Sequence, residues 1–256
     1  MKVPLHVVKA RRARLAELLQ RNRFLSLADL CDELRVSEAT ARRDLSVLEE
    51  EKMITRTWGG ALVDFNQRFP SFRQRQLQAQ EAKRRIATLA LKQLHPDLTV
   101  FFDAGTTVYA IADRLALEPV ERLTAVTNSL PVAERLAEVP GMEVHLVAGK
   151  FLARQSVLFG KPALRSLRLW NLDLAFTSAE GMTEAGVWNS QKDIVQFQRE
   201  VAKVSGRTIF CLDSTKLGQQ APEFLLPWSL VGCLLTDASP SELKAAGIKL
   251  KRTKLL

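Results

Sequence analysis

The sequence predicts an α/β chain in two parts: a small helical unit closed by a β-hairpin, then a larger, mostly parallel sheet flanked by helices. Three observations carry this expectation. Apolar residues recur at helical spacing up to about residue 50, whereas from residue 81 short apolar runs alternate with amphipathic stretches. Between them Val63 to Gln80 is rich in Gln and Arg, is interrupted by Pro70 and lacks an apolar period, as a linker does. Charge divides the same way. The 256 residues hold 37 Lys+Arg against 28 Asp+Glu, net +9, and 15 of the cations and 10 of the anions fall in residues 1–75. The expected division is therefore 1–62, a linker at 63–80, and 81–256. At 46% hydrophobic and 25% charged, the chain has ordinary globular composition rather than that of a disordered or disulfide-framework protein.

In the first part, Leu15, Leu18 and Leu19 line one side of a helix whose outer face carries Lys9, Arg11, Arg12 and Arg14. Ser26 with Asp29 three residues on has the form of a capping box, and Leu27, Leu30 and Leu34 form the inner face of a second helix. Arg35 and Val36 turn the chain. Ser37 then caps a third helix with Ala41, Leu45 and Leu48 inside and Glu38, Arg42, Arg43 and Ser46 outside. Ile54 to Ala61 alternates like a hairpin strand and ends in the Gly59–Gly60 pair, which permits a tight turn. Helix, helix, turn, helix and hairpin in this order make a winged helix-turn-helix, whose third helix enters the DNA major groove. Arg42 and Arg43 can reach guanine edges or phosphates, Ser37 and Thr40 can donate hydroxyls to phosphates, and Arg56 on the wing can lie along the backbone.

The second part reads as strands at Leu98–Phe102, Leu123–Thr127, Glu143–Ala148, Asp173–Ser178, Thr208–Leu212 and Val231–Thr236. In open parallel sheets ligands bind outside the carboxyl ends of the strands. Here those ends are polar or glycine: Asp103-Ala104-Gly105-Thr106-Thr107, Thr127-Asn128-Ser129, Gly149-Lys150, Glu180-Gly181 and Asp213-Ser214-Thr215-Lys216. Gly105 lets backbone approach an anion, and Thr106 and Thr107 open a helix whose free N–H groups and dipole favour phosphate. Lys216 or Lys150 can neutralise its charge, while Asp103 and Asn128 suit sugar hydroxyls. Glu180 is the one obvious candidate for a catalytic base.

Cys31, Cys211 and Cys233 show neither even pairing nor metal-ligand spacing and are expected to be reduced core thiols. His6, His95 and His145 are scattered, so neither a metal site nor a histidine relay is expected, and no cofactor is implied. Met1 to Ala10 has no apolar signal region and no stretch approaches the ~20 apolar residues of a membrane span, which points to the cytoplasm.

The stretch VSEATARRDLSVLEEEKMITRTWGGA resembles the DNA-binding signature of DeoR-type bacterial transcriptional regulators, V-S-x-x-T-I-R-R-D-L, then x-x-L-E, then a wing ending R-x-H-G-G-A. Val36, Ser37, Thr40, Arg42, Arg43, Asp44, Leu45, Leu48, Glu49, Arg56, Gly59, Gly60 and Ala61 match. Ala41 stands in place of the usual isoleucine, so a neighbouring large side chain is expected to refill that space. Trp58 replaces the wing histidine and either packs against the helix or stacks on a sugar. FFDAGTTVYAIADRL, AVTNSLPVAERLA, LVAGK, DLAFTSAEGM and LDSTKLG likewise resemble, in order, the DeoR-type sensor domain, itself similar to ribose-5-phosphate isomerase, glucosamine-6-phosphate deaminase and coenzyme A transferase folds. The resemblance implies a repressor of a carbohydrate-metabolism operon that binds a double-stranded DNA operator and a phosphorylated sugar or related effector, as a homodimer or homotetramer. It carries over Asp103, Gly105, Thr106, Thr107, Thr127, Asn128, Ser129, Gly149 and Lys216 as effector contacts. Ala148, Leu152 and Gln198 depart from it, standing where a glycine, an arginine and a lysine are usual, which weakens the phosphate site unless Lys150, Arg154 or Lys192 supplies the missing charge. The alternative is an active sugar-phosphate isomerase, deaminase or acyl-transferase with an added DNA-binding domain, with Glu180 as its base. The helix Glu81 to Leu94 is expected to pass the effector signal to the DNA-binding part.

Overall fold

A computed structural model describes residues 4–21, 25–51, 54–57, 60–63, 70–250 and 253–256. The chain divides into two compact units, Met1–Phe69 with Ala221–Glu223, and Pro70–Gln220 with Phe224–Leu256.

The first unit contains α1 (Leu5–Arg21), a short strand β1 (Leu25–Ser26), α2 (Leu27–Leu34), α3 (Glu38–Glu50) and the antiparallel pair β2 (Ile54–Thr57) and β3 (Gly60–Val63). Ser26 and Asp29 form the expected capping box on α2, and Ser37 caps α3. Arg35 ends α2 in the left-handed conformation, φ 51°, and its N–H closes on the carbonyls of Asp32 and Cys31. Leu15, Leu19, Leu30, Leu45, Leu48 and Ile54 make the core, and Ala41 is fully buried, so no void opens to solvent at the smaller side chain. β1 pairs with β3, adding a strand to the wing that two residues are too short to announce.

One expectation for this unit is corrected. Arg11 and Arg12 do not simply face solvent: their Nε atoms donate to Asp44 Oδ2 at 2.6 Å and Oδ1 at 2.9 Å, and the Asp44 side chain is only 2% exposed. Burial alone would raise the Asp44 pKa, but the two guanidinium hydrogen bonds and their charge outweigh it and hold the carboxyl below its usual range. A carboxylate on α3 thus fastens α1 across the unit.

The second unit starts at Pro70 rather than at residue 81. α4 (Phe72–Gln76) occupies part of the expected linker, with a capping box between Ser71 and Gln74. Five residues are too few to display an apolar period; what holds α4 is tertiary. Phe72 is buried edge-on against Tyr109, with centroids 5.6 Å apart, and its N–H donates to the Arg154 carbonyl at 2.9 Å. α5 (Gln80–Leu91) follows, and then the sheet.

The sheet is built from β4 (Thr99–Phe102), β5 (Thr124–Thr127), β6 (Glu143–Leu146), β9 (Leu172–Thr177), β12 (Ser205–Cys211), β14 (Cys233–Leu235) and β15 (Lys254–Leu255), in the order β15-β14-β12-β9-β4-β5-β6. Every neighbouring pair is parallel. Val100 and Phe102 of β4 enter one core while Phe101 enters the other, the period-two alternation of a strand covered on both faces. α5, α6 (Thr106–Leu117) and α7 (Leu130–Ala137) cover the first face, and α8 (Lys161–Leu167) and α9 (Lys192–Val204) the second. Two small sheets escaped the sequence: the hairpin β7 (Lys150–Leu152) with β8 (Val157–Phe159), and β10 (Gly181–Thr183), β11 (Gly186–Asn189) and β13 (Glu223–Pro227). The short α10 (Pro240–Ala245) completes the described helices. Cys211 and Cys233 are buried thiols, but Cys31 is half-exposed rather than a core residue.

From β4 the chain winds outward through β5 and β6 on one side, and returns to β9, β12, β14 and β15 on the other. The winding direction reverses between β4 and β9, which is where an open sheet leaves a crevice at its carboxyl edge.

Candidate functional site

Two regions gather the functional side chains, one in each unit. In the first, Ala41, Asp44, Leu45 and Leu48 turn inward, so helical geometry sends Arg42 and Arg43 to solvent on α3. Arg42 pairs with Glu38, at 3.3 Å with both side chains more than half exposed, a pair that costs little to exchange for a phosphate. Thr40 donates its N–H to Ser37 Oγ at 3.4 Å, and the two hydroxyls lie 3.0 Å apart at the α3 N-terminus. Arg56 stands on β2 opposite Ala61, and Trp58 lies outside the described residues.

In the second unit the carboxyl ends of β5, β4, β9 and β12 lie side by side. Asp103, just past β4 and 3% exposed, is a hub: its carboxylate accepts from Ala104 N at 2.8 Å, Thr177 Oγ1 at 2.9 Å, Ser178 N at 3.3 Å and Gln198 Nε2 at 2.6 Å. Gln198 also donates to the Ser178 carbonyl and accepts from Asn189 Nδ2, locking α9 and β11 onto the end of β4. Thr127 is enclosed, donating to the Phe102 carbonyl at 2.6 Å and accepting from Ser129 N.

Beside this hub runs an open cleft in two halves that share Arg75, Ser178, Ala179 and Glu180. The first half holds Thr106, Thr107, Asp213, Lys83 and Lys216; the second holds Asp103, Gly105, Gln155, Asn189 and Gln198. α6 begins here at Gly105 with no side-chain cap, leaving the positive end of its dipole directed at the cleft. A Cβ on Gly105 would fall 1.9 Å from Ser178 Oγ and 2.7 Å from Ser178 Cβ, so glycine is required by space rather than by φ. Asp213 caps the short turn Ser214–Lys216 and thereby sets Lys216. Glu180 lies 3.5 Å from Arg75 and 3.9 Å from Lys216. Lys83 is 5% exposed and donates to the Arg75 and Gln78 carbonyls, both at 2.6 Å. Burial lowers its pKa to about 8, with Lys216 and Arg75 acting in the same direction and Asp213 and Glu180 opposing.

The sensor-domain model "DeoR C terminal sensor domain" matches residues 78–238, and "DeoR-like helix-turn-helix domain" matches 11–67. The HTH-type transcriptional repressor GlcR of Bacillus subtilis (strain 168) is 30% identical over 227 residues, which is 88% of this chain and 87% of that protein. The chain belongs to the DeoR family. This DeoR-family chain is therefore a DNA-binding transcriptional regulator in which a helix-turn-helix precedes a sensor domain. The glycerol-3-phosphate regulon repressor of Escherichia coli (strain K12) is 29% identical over 225 residues, 88% of each chain. Ribose 5 phosphate isomerase A from Neisseria gonorrhoeae superposes with a TM-score of 0.38 at 18% identity, over 52% of each chain.

The sensor domain brings together only part of the expected effector set. Asp103, Gly105, Thr106, Thr107 and Lys216 line the cleft. Thr127, Asn128 and Ser129 do not; they are buried at the neighbouring strand end, where Ser129 pairs with Val157 and the Asn128 carbonyl accepts from Leu158 N. Asn128 Oδ1 and Ser129 Oγ have no hydrogen-bond partner among the described residues. Gly149 and Lys150 are corrected: a Cβ at Gly149 would meet Phe159 backbone at 2.9 Å, so that glycine serves hairpin packing, and Lys150 is exposed on β7. Arg154 and Lys192 are also absent from the cleft lining, so none of the three candidate substitutes lines it. Arg75 and Lys83 supply positive charge there instead. Asp103 is corrected in role: nearly all its accepting capacity is taken by protein donors, which makes it a scaffold for the strand ends before it is a ligand contact. Arg75 sat in what reads as linker and Lys83 on what reads as a surface of an amphipathic helix. Neither carries a local motif; only the fold back of α4 and α5 onto the strand ends marks them.

Proposed function

We propose that this regulator is a repressor whose DNA binding is controlled by a phosphorylated sugar or a closely related anionic metabolite held in the sensor cleft. The observation that supports the reading is the convergence of the uncapped α6 N-terminus with Arg75, Lys83 and Lys216 at the β4/β9 reversal. In the first half of the cleft, three cations face two carboxylates, Glu180 and Asp213, an excess of one positive charge there. A phosphate entering between Glu180 and its two partners satisfies Arg75 and Lys216 with stronger, charge-assisted bonds. Arg75 gives the occupied cleft a lever: α4 is the first described element after the DNA-binding unit, so a ligand that pulls on Arg75 acts on the segment leading there. α4, rather than the Glu81 to Leu94 helix, is thus the transmitter in this proposal. Effector binding shifts the population between DNA-competent and DNA-incompetent arrangements of a homodimer or homotetramer in the cytoplasm.

On DNA, Arg42 and Arg43 read base edges or phosphates, with Ser37, Thr40, Arg56 and Trp58 against the backbone. Catalysis is not part of the reading, because Glu180 is engaged by two cations where a general base must be poised for a substrate proton. A thermal-shift screen of sugar phosphates against their unphosphorylated sugars tests the proposal, since a ligand of the native state raises its melting temperature. Phosphorylated compounds stabilise the wild type and not Lys216→Met; stabilisation that survives Lys216→Met together with Arg75→Met overturns it.

A further inference from the structure

The cleft's second half is rich in amides beside the Asp103 carboxylate. Its amides Asn189 and Gln198 are committed to one another and to Asp103. Gln155 is different. It lies in the turn of the β7–β8 hairpin, is 6% exposed and lines the cleft, yet its side chain makes no hydrogen bond among the described residues. The turn does not need that side chain. Gln155 N and Ser156 N close on the Leu152 and Ala153 carbonyls at 3.2 Å each, Ser156 Oγ reaches the Ala153 carbonyl at 3.4 Å, and Phe72 N fastens the turn through the Arg154 carbonyl.

A side-chain amide that lines a cleft with no protein partner keeps its donor and acceptor for whatever enters the cleft. A donor and an acceptor facing a cleft are matched by hydroxyl groups, which also donate and accept. Val157 and Ile194 beside it offer apolar wall for the carbon chain that bears those hydroxyls. Asn128 Oδ1 and Ser129 Oγ, buried and without a hydrogen-bond partner among the described residues, sit at the strand end against which this hairpin pairs. An anionic head therefore has its cations in one half of the cleft, and a hydroxylated body has its unsatisfied amide in the other.

We propose that Gln155 is the residue that reads the hydroxyl groups of the ligand's carbon chain, a specificity role beside the anion site. This rests on the reading of the first half as an anion site. In that arrangement Gln155 sets specificity among phosphates, and Arg75 and Lys216 set the requirement for phosphate itself.

Isothermal titration calorimetry on the full chain tests it with inorganic phosphate, glycerol 3-phosphate, ribose 5-phosphate and fructose 6-phosphate, comparing wild type with Gln155→Leu and Gln155→Met. The tightest-binding hydroxylated phosphate loses about tenfold in affinity in both variants, as expected for the loss of one hydrogen bond. Inorganic phosphate binds all three proteins alike, and the ligand-free melting temperature of the variants stays level or rises. Unchanged affinity for every hydroxylated phosphate, an equal loss for inorganic phosphate, or a lowered ligand-free melting temperature in both variants overturns the assignment of Gln155. Failure of the wild type to bind any of the four overturns the anion-site reading itself and this proposal with it.

Discussion

Replacing Asp44 with Asn removes the charge that holds two arginines of α1 against α3 while keeping the side chain's shape. The carboxylate is 2% exposed and its partners Arg11 and Arg12 only 18% and 25%. A charge-assisted hydrogen bond of this kind contributes about 1.5–3 kcal/mol, and stripping one partner from a fully buried pair costs about 3–5 kcal/mol. Because both guanidinium groups still reach water, the lower part of that range applies: about 2–3 kcal/mol for Asp44→Asn. In a unit of this size that lowers the melting temperature by about 10–20 °C. Differential scanning calorimetry on the full chain reads the change as a transition that separates from that of the sensor unit. The pH dependence has a fixed sign. The folded pKa lies below the unfolded one, so the stabilisation is fully present above about pH 4 and is lost as pH falls through the depressed folded value. A wild-type unit that loses no more stability on acidification than Asp44→Asn, or a variant melting within about 2 °C of wild type, refutes the assignment of this triad as the strut of the DNA-binding unit.

Other substitutions separate the two sites. Arg42→Ala with Arg43→Ala leaves the melting temperature within about 2 °C of wild type, because both side chains are exposed, but removes specific operator binding in an anisotropy titration; retained operator affinity contradicts the role of α3. Gly105→Ala forces a Cβ into Ser178, destabilising the sensor unit by about 1–3 kcal/mol and abolishing sugar-phosphate binding by calorimetry; a variant that melts and binds like wild type shows that the β4–α6 turn is not the anion site. Lys83 is cationic below pH 8 and neutral above it, so affinity for a sugar phosphate, dianionic above about pH 7, falls as pH rises through 8, and binding near pH 8 takes up protons because the anion raises the Lys83 pKa. Calorimetry in buffers of different ionisation enthalpy detects that uptake, and a proton count of zero at pH 8 removes Lys83 from the site.

Legibility in the sequence tracked the range of the interaction. α2 and α3 were readable because their signals are local: Ser26 with Asp29, Ser37 before Glu38, and leucines three and four apart. The central strands are readable because they are buried on both faces and so run continuously apolar, and their polar ends mark the carboxyl edge. Lys216, Thr106 and Thr107 fell where that edge predicts. What stayed hidden is long-range. Asp44 looks like one more polar residue on α3 until α1 folds across it, and Arg75 looks like linker because five residues of α4 cannot show a period. Lys150 was misplaced because a glycine–lysine pair after a strand resembles an anion loop, whereas here it opens the hairpin that carries Gln155 over the cleft. Gln198 read as a lost cation; in place it is an amide that ties Asp103 to α9, and the positive charge comes from Arg75 and Lys83.

The central claim is that occupancy of the β4/β9 cleft governs DNA binding through α4. Its most direct test is an anisotropy titration of the full chain on an operator duplex selected from a random pool, with and without the sugar phosphate that most stabilises it, for wild type and Arg75→Met. The account predicts that the ligand changes the wild-type operator affinity at least tenfold and leaves Arg75→Met DNA-bound and unresponsive. An equal ligand response in both proteins contradicts it.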